Sequence, residues 1–393
     1  MSDPRVRLLV PPTFGPPRPA EEGLRTTLAA AFGRGEGKFG FGQRLSTVFK
    51  GVAEHWTEPA SLHVLVGLFA VGVLILPFIT IDRWVIQIGT YALIYALLAM
   101  GLNIVVGYAG LLDLGYVAFY AVGAYTAGIV TTRLGWQMWA AIPFVIIACV
   151  IAGIVIGAPT LRLRSDYLAI VTLGFGEIIR LLCNNIEALG GPSGIYGIPK
   201  WAFGSWSFSD GLTIGGLYLP ENVLYFYFVA IIVLVIAIVI MPRLSKGKLG
   251  RAWKAVRDDE DAAEAMGINT YTTKLTAYIM GAVFGGFAGI LSASLLTAFS
   301  PSDFRFLQSA LVLVAVVIGG MGSIPGVVLG GLFVALTPEF LRFWDNRYLL
   351  FGILLLAVMM FRPRGLWPAT KVLPWSNNRR RPPLSDSLPK GEP

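Results

Sequence analysis

The chain has 393 residues, of which 55% are apolar and only 14% are charged, and its mean hydropathy is +0.69. This composition supplies too little polar surface for a soluble globular protein of that length, so it indicates a membrane protein with several spans. The formal net charge of +8 comes from 31 Lys and Arg against 23 Asp and Glu, and because the basic residues gather in tails and loops beside apolar runs, they indicate membrane topology and not nucleic-acid binding.

The N-terminal segment, residues 1–58, is rich in Pro, Gly and Arg and has no apolar run of the kind that a secretory signal needs. We predict a disordered, basic arm on the cytoplasmic side, and we favour a solvated tail over one that contacts anionic membrane lipid or RNA. The C-terminal segment, residues 363–393, includes Arg379, Arg380 and Arg381 and is predicted in the same way.

Between these tails, residues 59–362 contain apolar runs long enough to cross about 30 Å of hydrocarbon. They predict an all-α, polytopic bundle of about ten transmembrane helices, within a range of eight to eleven, with both termini cytoplasmic. The predicted spans are 61–81, 84–106, 117–132, 138–158, 167–184, 222–241, 274–298, 307–320, 326–343 and 348–361.

Four polar residues fall within or between these spans, where each needs a specific reason for its presence. Asn103 is predicted to bond a neighbouring helix. Asp113 lies in a glycine-punctuated stretch that could re-enter the membrane, and we favour helix capping or turn formation over contact with a substrate. Glu177 and Arg180 are three residues apart on one helix face, which favours a structural ion pair and leaves a place in the transport path as the alternative.

Two longer connections differ in charge, and the difference predicts which side of the membrane each one faces. Residues 185–221 carry one Lys and three acidic residues, and are predicted to be periplasmic. Residues 242–273 carry a basic, amphipathic helical pattern and are predicted to be cytoplasmic, where another protein could act on them.

Glycines repeat at four-residue intervals in two places, which puts them on one helix face and allows close contact between helix backbones. The first set is Gly281, Gly285 and Gly289, and the second is Gly322, Gly326 and Gly330. Packing within the chain is favoured over a dimer interface. In the second set, the Ser-Ile-Pro sequence at 323–325 predicts a turn or a broken helix.

Few residues are candidates for catalysis, metal binding or nucleotide binding. The two histidines, His55 and His63, precede or open the first predicted span, and Cys149 and Cys183 lie in apolar runs as expected of packing residues. No phosphate-binding loop of the form GxxxxGK[ST] occurs. We therefore expect no enzyme activity and no cofactor or metal site, and if ATP supplies the energy, another subunit must bind it.

Five separated segments are similar to the LivM-type permease subunits of branched-chain amino acid ABC importers, and they occur in the order expected for that family. They lie at 110–125 (GLLDLGYVAFYAVGAY), 161–185 (LRLRSDYLAIVTLGFGEIIRLLCNN), 190–199 (GGPSGIYGIP), 250–269 (GRAWKAVRDDEDAAEAMGIN) and 316–331 (VVIGGMGSIPGVVLGG). The resemblance extends from about residue 91 to residue 367.

The resemblance implies a multi-pass permease of a bacterial inner membrane. Its partners would be a second, LivH-type permease, two cytoplasmic ATPase subunits of the LivG and LivF type that bind ATP and Mg, and a periplasmic amino acid-binding protein. The pattern by which such permeases contact the ATPases matches the segment that ends at Gly267, with Asp261 in place of the usual Glu. The coupling residues implied or expected there are Arg251, Arg257, Asp261, Ala262, Ala263, Glu264 and Gly267, with the two arginines expected to pair with acidic residues of the ATPase.

Two alternatives remain at this point. A sister permease for urea or short-chain amides shares the glycine-rich motifs of the importer family. A stand-alone secondary transporter or channel would need a relay of titratable or ion-binding groups, and the predicted spans contain little beyond Glu177, Arg180 and Asp113 to build one.

Overall fold

The computed structural model describes residues 83–161, 165–203, 206–207, 212–214, 217–219, 223–343, 347–361 and 365–367. Within them the chain is almost entirely helical. The α-helices are α1 (Arg83–Leu102), α2 (Val117–Thr132), α3 (Met138–Thr160), α4 (Ser165–Asn185), α5 (Val223–Lys246), α6 (Lys248–Asp258), α7 (Glu260–Ala265), α8 (Thr270–Leu296), α9 (Phe306–Gly319), α10 (Ile324–Phe340) and α11 (Arg347–Phe361). A π-helical segment, Asn103–Tyr108, continues α1.

A helix lies at each predicted span that falls within the described residues, but not all of these helices are long enough to cross a membrane. Five have sufficient length and apolar character by composition, namely Trp84–Tyr108, Met138–Thr160, Tyr167–Asn185, Tyr225–Lys246 and Thr270–Leu296. Helices α2, α9 and α10 are apolar but shorter. The predicted count of about ten spans is therefore not confirmed. The predicted span 61–81 and the arm 1–58 lie outside the described residues.

Helix α8 lies at the centre of the bundle and packs against α1, α2 and α3. Its glycines lie at these contacts: a Cβ at Gly289 would overlap the Tyr120 carbonyl oxygen and lie 2.7 Å from the Ala124 nitrogen on α2. A Cβ at Gly281 would lie 2.6 Å from the Val105 side chain, and one at Gly285 would lie 3.0 Å from Phe119. Backbone approach of this kind gives dispersion contacts that longer side chains would prevent.

Helices α9 and α10 are separated by a short turn, and they pack against each other and against α1. We call them the broken α9–α10 pair. The break is a turn from Gly320 to Ser323, and the Ser323 side chain caps α10 by accepting from the Gly326 amide. The prediction that Gly322, Gly326 and Gly330 share one helix face is wrong for Gly322, which lies in this turn at φ +84°. The predicted break at 323–325 is confirmed.

The other two glycines of this set lie on α10 at its contact with α9. A Cβ at Gly330 would overlap the Ala315 carbonyl oxygen, and one at Gly326 would overlap that of Gly319. Residues 365–367 also reach the end of α9, with the Trp367 amide donating to the Gly319 carbonyl at 3.0 Å. The Leu366 amide likewise donates to the Ile318 carbonyl at 2.6 Å. The rest of the segment 363–393, for which disorder is predicted, lies outside the described part of the chain.

Short strands are the one departure from an all-α fold among the described residues. Strand β1 (Ile195–Tyr196) pairs antiparallel with β6 (Ala298–Phe299), and two small hairpins pair β2 (Ala202–Phe203) with β3 (Trp206–Ser207) and β4 (Leu212–Ile214) with β5 (Leu217–Leu219). The β1–β6 pair ties the connection after α4 to the end of α8. The rings of Trp139 and Trp201 pack edge to face, with their centroids 4.2 Å apart.

Candidate functional site

The polar connection between α5 and α8 folds into two helices where the sequence pattern predicted one. Helix α6 ends at Asp258, and Asp259 then adopts an extended conformation with φ −160° and ψ 114°. The Asp259 side chain caps α7 by accepting from the Ala262 amide at 3.0 Å. The helical pattern predicted for residues 242–273 is therefore interrupted, because Asp259 stops one helix and starts the next.

Helix α6 is anchored to the start of α8 by a buried tryptophan. The Trp253 side chain is fully buried, and its Nε1 donates to the Thr273 carbonyl at 3.0 Å and to Thr276 Oγ1 at 3.1 Å. On α7, Glu260 forms an ion pair with Lys274. Helices α6 and α7 are thus both fixed to the first two turns of α8.

A second anchor joins α6 to the π-helical end of α1. The Arg257 guanidinium donates to the Gly107 carbonyl, and its aliphatic stem covers Gly110, where a Cβ would lie 2.7 Å from Arg257 Cγ. Lys254 lies over the Tyr108 ring at 5.4 Å and donates to the Ser245 carbonyl at 3.2 Å. Burial, with a smaller contribution from Lys246, lowers the pKa of Lys254 below its ordinary value.

The predicted coupling residues divide between the inside and the outside of this segment. Ala263 is buried, and the guanidinium of Arg257 is turned towards α1. Arg251 is exposed and donates to the nearby Lys246 carbonyl at 2.8 Å. The other predicted coupling residues, Asp261, Ala262, Glu264 and Gly267, are exposed, and together with the exposed Met266, which was not predicted, they form what we term the α7 surface.

The π-helical segment also contacts the broken α9–α10 pair, through Asn103. This residue is fully buried, and its Oδ1 accepts from the Gly322 amide at 2.8 Å. Asn103 was predicted to bond a neighbouring helix; its partner is instead the turn between two helices. Since Gly107 accepts from Arg257, one π-helical turn contacts both α6 and the α9–α10 turn. π-Helical turns inside α-helices are frequent at functional sites.

Asp113 shapes the loop between α1 and α2. It is fully buried, and its Oδ1 accepts from the Gly115 amide at 2.8 Å, as in the turn that the sequence favoured. The loop lies against α4 and α9, because the Leu114 amide donates to Thr172 Oγ1 at 3.2 Å and the Val117 amide donates to Ser309 Oγ at 3.0 Å.

Glu177 and Arg180 form an ion pair on α4, with Arg180 Nε 2.6 Å from Glu177 Oε2. The pair is half-buried, at 35% exposure for Glu177 and 26% for Arg180. The loop of Asp113 packs against α4 close to the pair: a Cβ at Gly176, the residue before Glu177, would lie 3.3 Å from Gly115, whose amide bonds Asp113.

Sequence reasoning missed the anchoring residues Trp253, Lys254, Glu260 and Lys274. One signal for them was available, because Gly250, Trp253 and Val256 recur at three-residue spacing, and these three are the buried residues of α6. A tryptophan on such a stripe indicates docking against another helix.

Comparisons with known proteins agree on one family. A family model described as "Branched-chain amino acid transport system / permease component" matches residues 84–361. The chain is similar to the LivM permease protein of Escherichia coli (strain K12), at 42% identity over 77% of this chain and 75% of that protein. It is also similar to LivM of Salmonella typhimurium, at 39% identity over 84% of this chain and 83% of the relative.

A more distant likeness extends to the LivH permease protein of Escherichia coli (strain K12), with 25% identity over 69% of this chain and 90% of that protein. All three relatives are named as permease proteins of a high-affinity branched-chain amino acid transport system. No solved structure matches the chain.

Proposed function

Because the chain belongs to the family of branched-chain amino acid transport permease components, we propose that it forms one half of the translocation pathway of an ATP-driven importer in a bacterial inner membrane. The substrates that the names of its relatives support are branched-chain amino acids. The predominantly apolar helices suit a permease, whose task is to form a path and not to make or break bonds.

The other half of the pathway would be a second permease of the LivH type. The 25% identity between this chain and a LivH protein supports such a pair, because related chains can meet across a pseudo-twofold axis. Two cytoplasmic ATPases of the LivG and LivF type would bind ATP and Mg, and a periplasmic binding protein would deliver the amino acid. This chain would itself hold no cofactor.

The observation that carries the proposal is the double anchoring of α6. A helix pair that is fixed to α8 by Trp253 and to α1 by Arg257 moves with those helices and cannot swing separately. If the two ATPases approach each other on binding ATP, the one that binds the α7 surface would therefore displace α1 and α8. In this arrangement, residues 242–273 face the cytoplasm and residues 185–221 face the periplasm.

A displacement of α1 would be transmitted directly to the short helices α9 and α10. Asn103 joins the π-helical segment of α1 to the turn between α9 and α10, and broken helices line the pathways of many transporters. ATP binding would thus switch the pathway towards the outside, and hydrolysis would return it to the inward-facing state.

The test is transport by the complete complex in proteoliposomes that contain ATP. We expect the binding protein to support uptake of labelled leucine and not of labelled urea, and we expect affinity-purified permease to bring the ATPases with it. Uptake of urea in preference to leucine would identify the sister amide permease. Leucine uptake by the permease alone, without ATPases, would identify a stand-alone transporter and contradict the proposal.

A further inference from the structure

The Glu177–Arg180 pair lies near the middle of a candidate membrane span. Helix α4 includes the apolar stretch Tyr167–Asn185, and Glu177 lies one residue past its midpoint. An unpaired charge at this depth is strongly disfavoured, because lipid tails cannot solvate it. The pair lowers that cost, but both side chains still keep a quarter or more of their surface exposed.

The exposed face of α4 around this pair is therefore unsuited to lipid. Lipid tails offer no hydrogen bonds, so charges in a span face a bundle interior or a water-filled cavity. A permease that supplies half of a pathway must present such a face to the other half. The half-exposed ion pair is the observation that assigns this role to α4.

Empty space adjoins the pair. A Cβ at Gly174, one turn before Glu177, would meet no other atom within 4 Å. Exposed aliphatic side chains border the same face, namely Ile170 and Leu181. The face therefore combines one acidic group, one basic group, a gap and an aliphatic border.

We propose that this face of α4 contacts the amino acid in the pathway, with Arg180 binding its α-carboxylate, Glu177 binding its α-ammonium group and the aliphatic border contacting its side chain. This inference rests on the proposed function and adds a substrate-contacting site to it. On binding, the zwitterionic amino acid would replace the contact between Glu177 and Arg180 with its own contacts to each of the two side chains. Among the described contacts, Arg180 uses only Nε, so its terminal nitrogens can bind a carboxylate in the forked geometry that arginine favours.

The experiment measures leucine uptake by the complete complex in proteoliposomes, with assembly checked by size-exclusion chromatography. Glu177→Gln and Arg180→Gln should each lower uptake roughly tenfold or more, since each removes a charge-assisted contact. The matched control is Glu339→Gln, which neutralises another i,i+3 ion pair, that with Arg342, and should leave uptake unchanged.

A double variant separates substrate contact from a structural ion pair. Glu177→Arg combined with Arg180→Glu restores an opposite-charge pair but reverses its order along α4. We expect uptake to stay low, because the charges then oppose those of the bound zwitterion. Recovery of uptake to the unmodified level would show a structural pair and overturn the inference.

A fourth variant keeps the test decisive if the charge variants fold poorly. Gly174→Leu projects a side chain into the gap beside the pair, where a Cβ would meet no other atom within 4 Å, and it should block uptake while the complex still assembles. Normal uptake by Gly174→Leu or by both single charge variants would overturn the inference, as would loss of the second permease from any of them, which would show a subunit interface. If the unmodified complex takes up no leucine, the proposed function itself has failed, and that result is distinct from these.

Discussion

Arg257 illustrates how one side chain can belong to two parts of the molecule. Its backbone lies in α6, while its guanidinium bonds the Gly107 carbonyl at the end of α1. A hydrogen bond to a charged donor typically contributes about 1.5–3 kcal/mol. We therefore expect this residue to transmit displacement between the helices, a role different from the contact with an ATPase that its position in the sequence suggests.

Replacing Arg257 by Ala should lower the amount of leucine taken up per ATP hydrolysed by about tenfold, because α6 would lose its bond to α1. Uptake and phosphate release would be measured in the same proteoliposomes. Lys248→Ala is the matched control, since Lys248 is an exposed basic residue at the other end of the same helix. Equal ratios for the two variants would refute the role of Arg257.

Gly289 carries a second prediction, which concerns stability. A methyl group there would overlap the backbone of α2, which cannot move aside as a flexible side chain can. Gly289→Ala should therefore destabilise the permease by about 1–3 kcal/mol, measured as a lower Tm in detergent. Gly352→Ala, at a site where a Cβ meets nothing within 4 Å, should leave the Tm unchanged or raise it slightly, and an equal Tm for both variants would be inconsistent with the packing described.

Among the elements, α7 depends most on the backbone conformation that ends it. Gly267 has φ +82°, and the Ile268 amide donates to the Ala263 carbonyl at 3.0 Å while the Gly267 amide donates to Glu264. This closure of a helix by a left-handed glycine sets the direction of the chain into α8. It also fixes the position of the α7 surface.

A pair of substitutions at Gly267 separates backbone conformation from side-chain bulk. Asn tolerates the left-handed conformation and Val does not, and a Cβ at this position would meet no other atom within 4 Å. Gly267→Asn should keep most ATP-driven uptake, whereas Gly267→Val should lose most of it and leave the complex assembled. If Gly267→Asn lowers uptake as much as Gly267→Val does, coupling depends on the side chain at this position of the α7 surface and not on the backbone conformation.

Sequence patterns were sufficient to locate elements but not to describe how they meet. Apolar runs predicted helices at the right places because burial in lipid or protein requires no knowledge of a partner. The division of α6 from α7 was missed, since the amphipathic pattern continues across Asp259 and only its extended backbone breaks the helix. The position of Gly322 was missed for a similar reason: four-residue spacing indicates one helix face only when the helix is unbroken.

At the scale of the whole molecule, the described bundle has a centre and two contrasting surfaces. Helix α8 and its glycines form the centre, the α6–α7 segment is fixed to its first two turns, and α4 carries the half-exposed ion pair. The sequence predicted the family, because the matching motifs are local in the chain. It could not predict that Arg257 and Gly322 both bond the π-helical segment, since those contacts join residues 150 and 219 positions apart.

The central claim is that the α7 surface binds an ATPase, and a site-specific cross-link tests it most directly. Met266 is 83% exposed, so Met266→Cys can carry a photoactivatable thiol reagent in the complete complex. Tyr196→Cys, at a side chain that is 64% exposed in the connection after α4, is the control. The account predicts that the label at 266 cross-links an ATPase and that the label at 196 does not; a cross-link from 266 to the periplasmic binding protein, or from 196 to an ATPase, would contradict it.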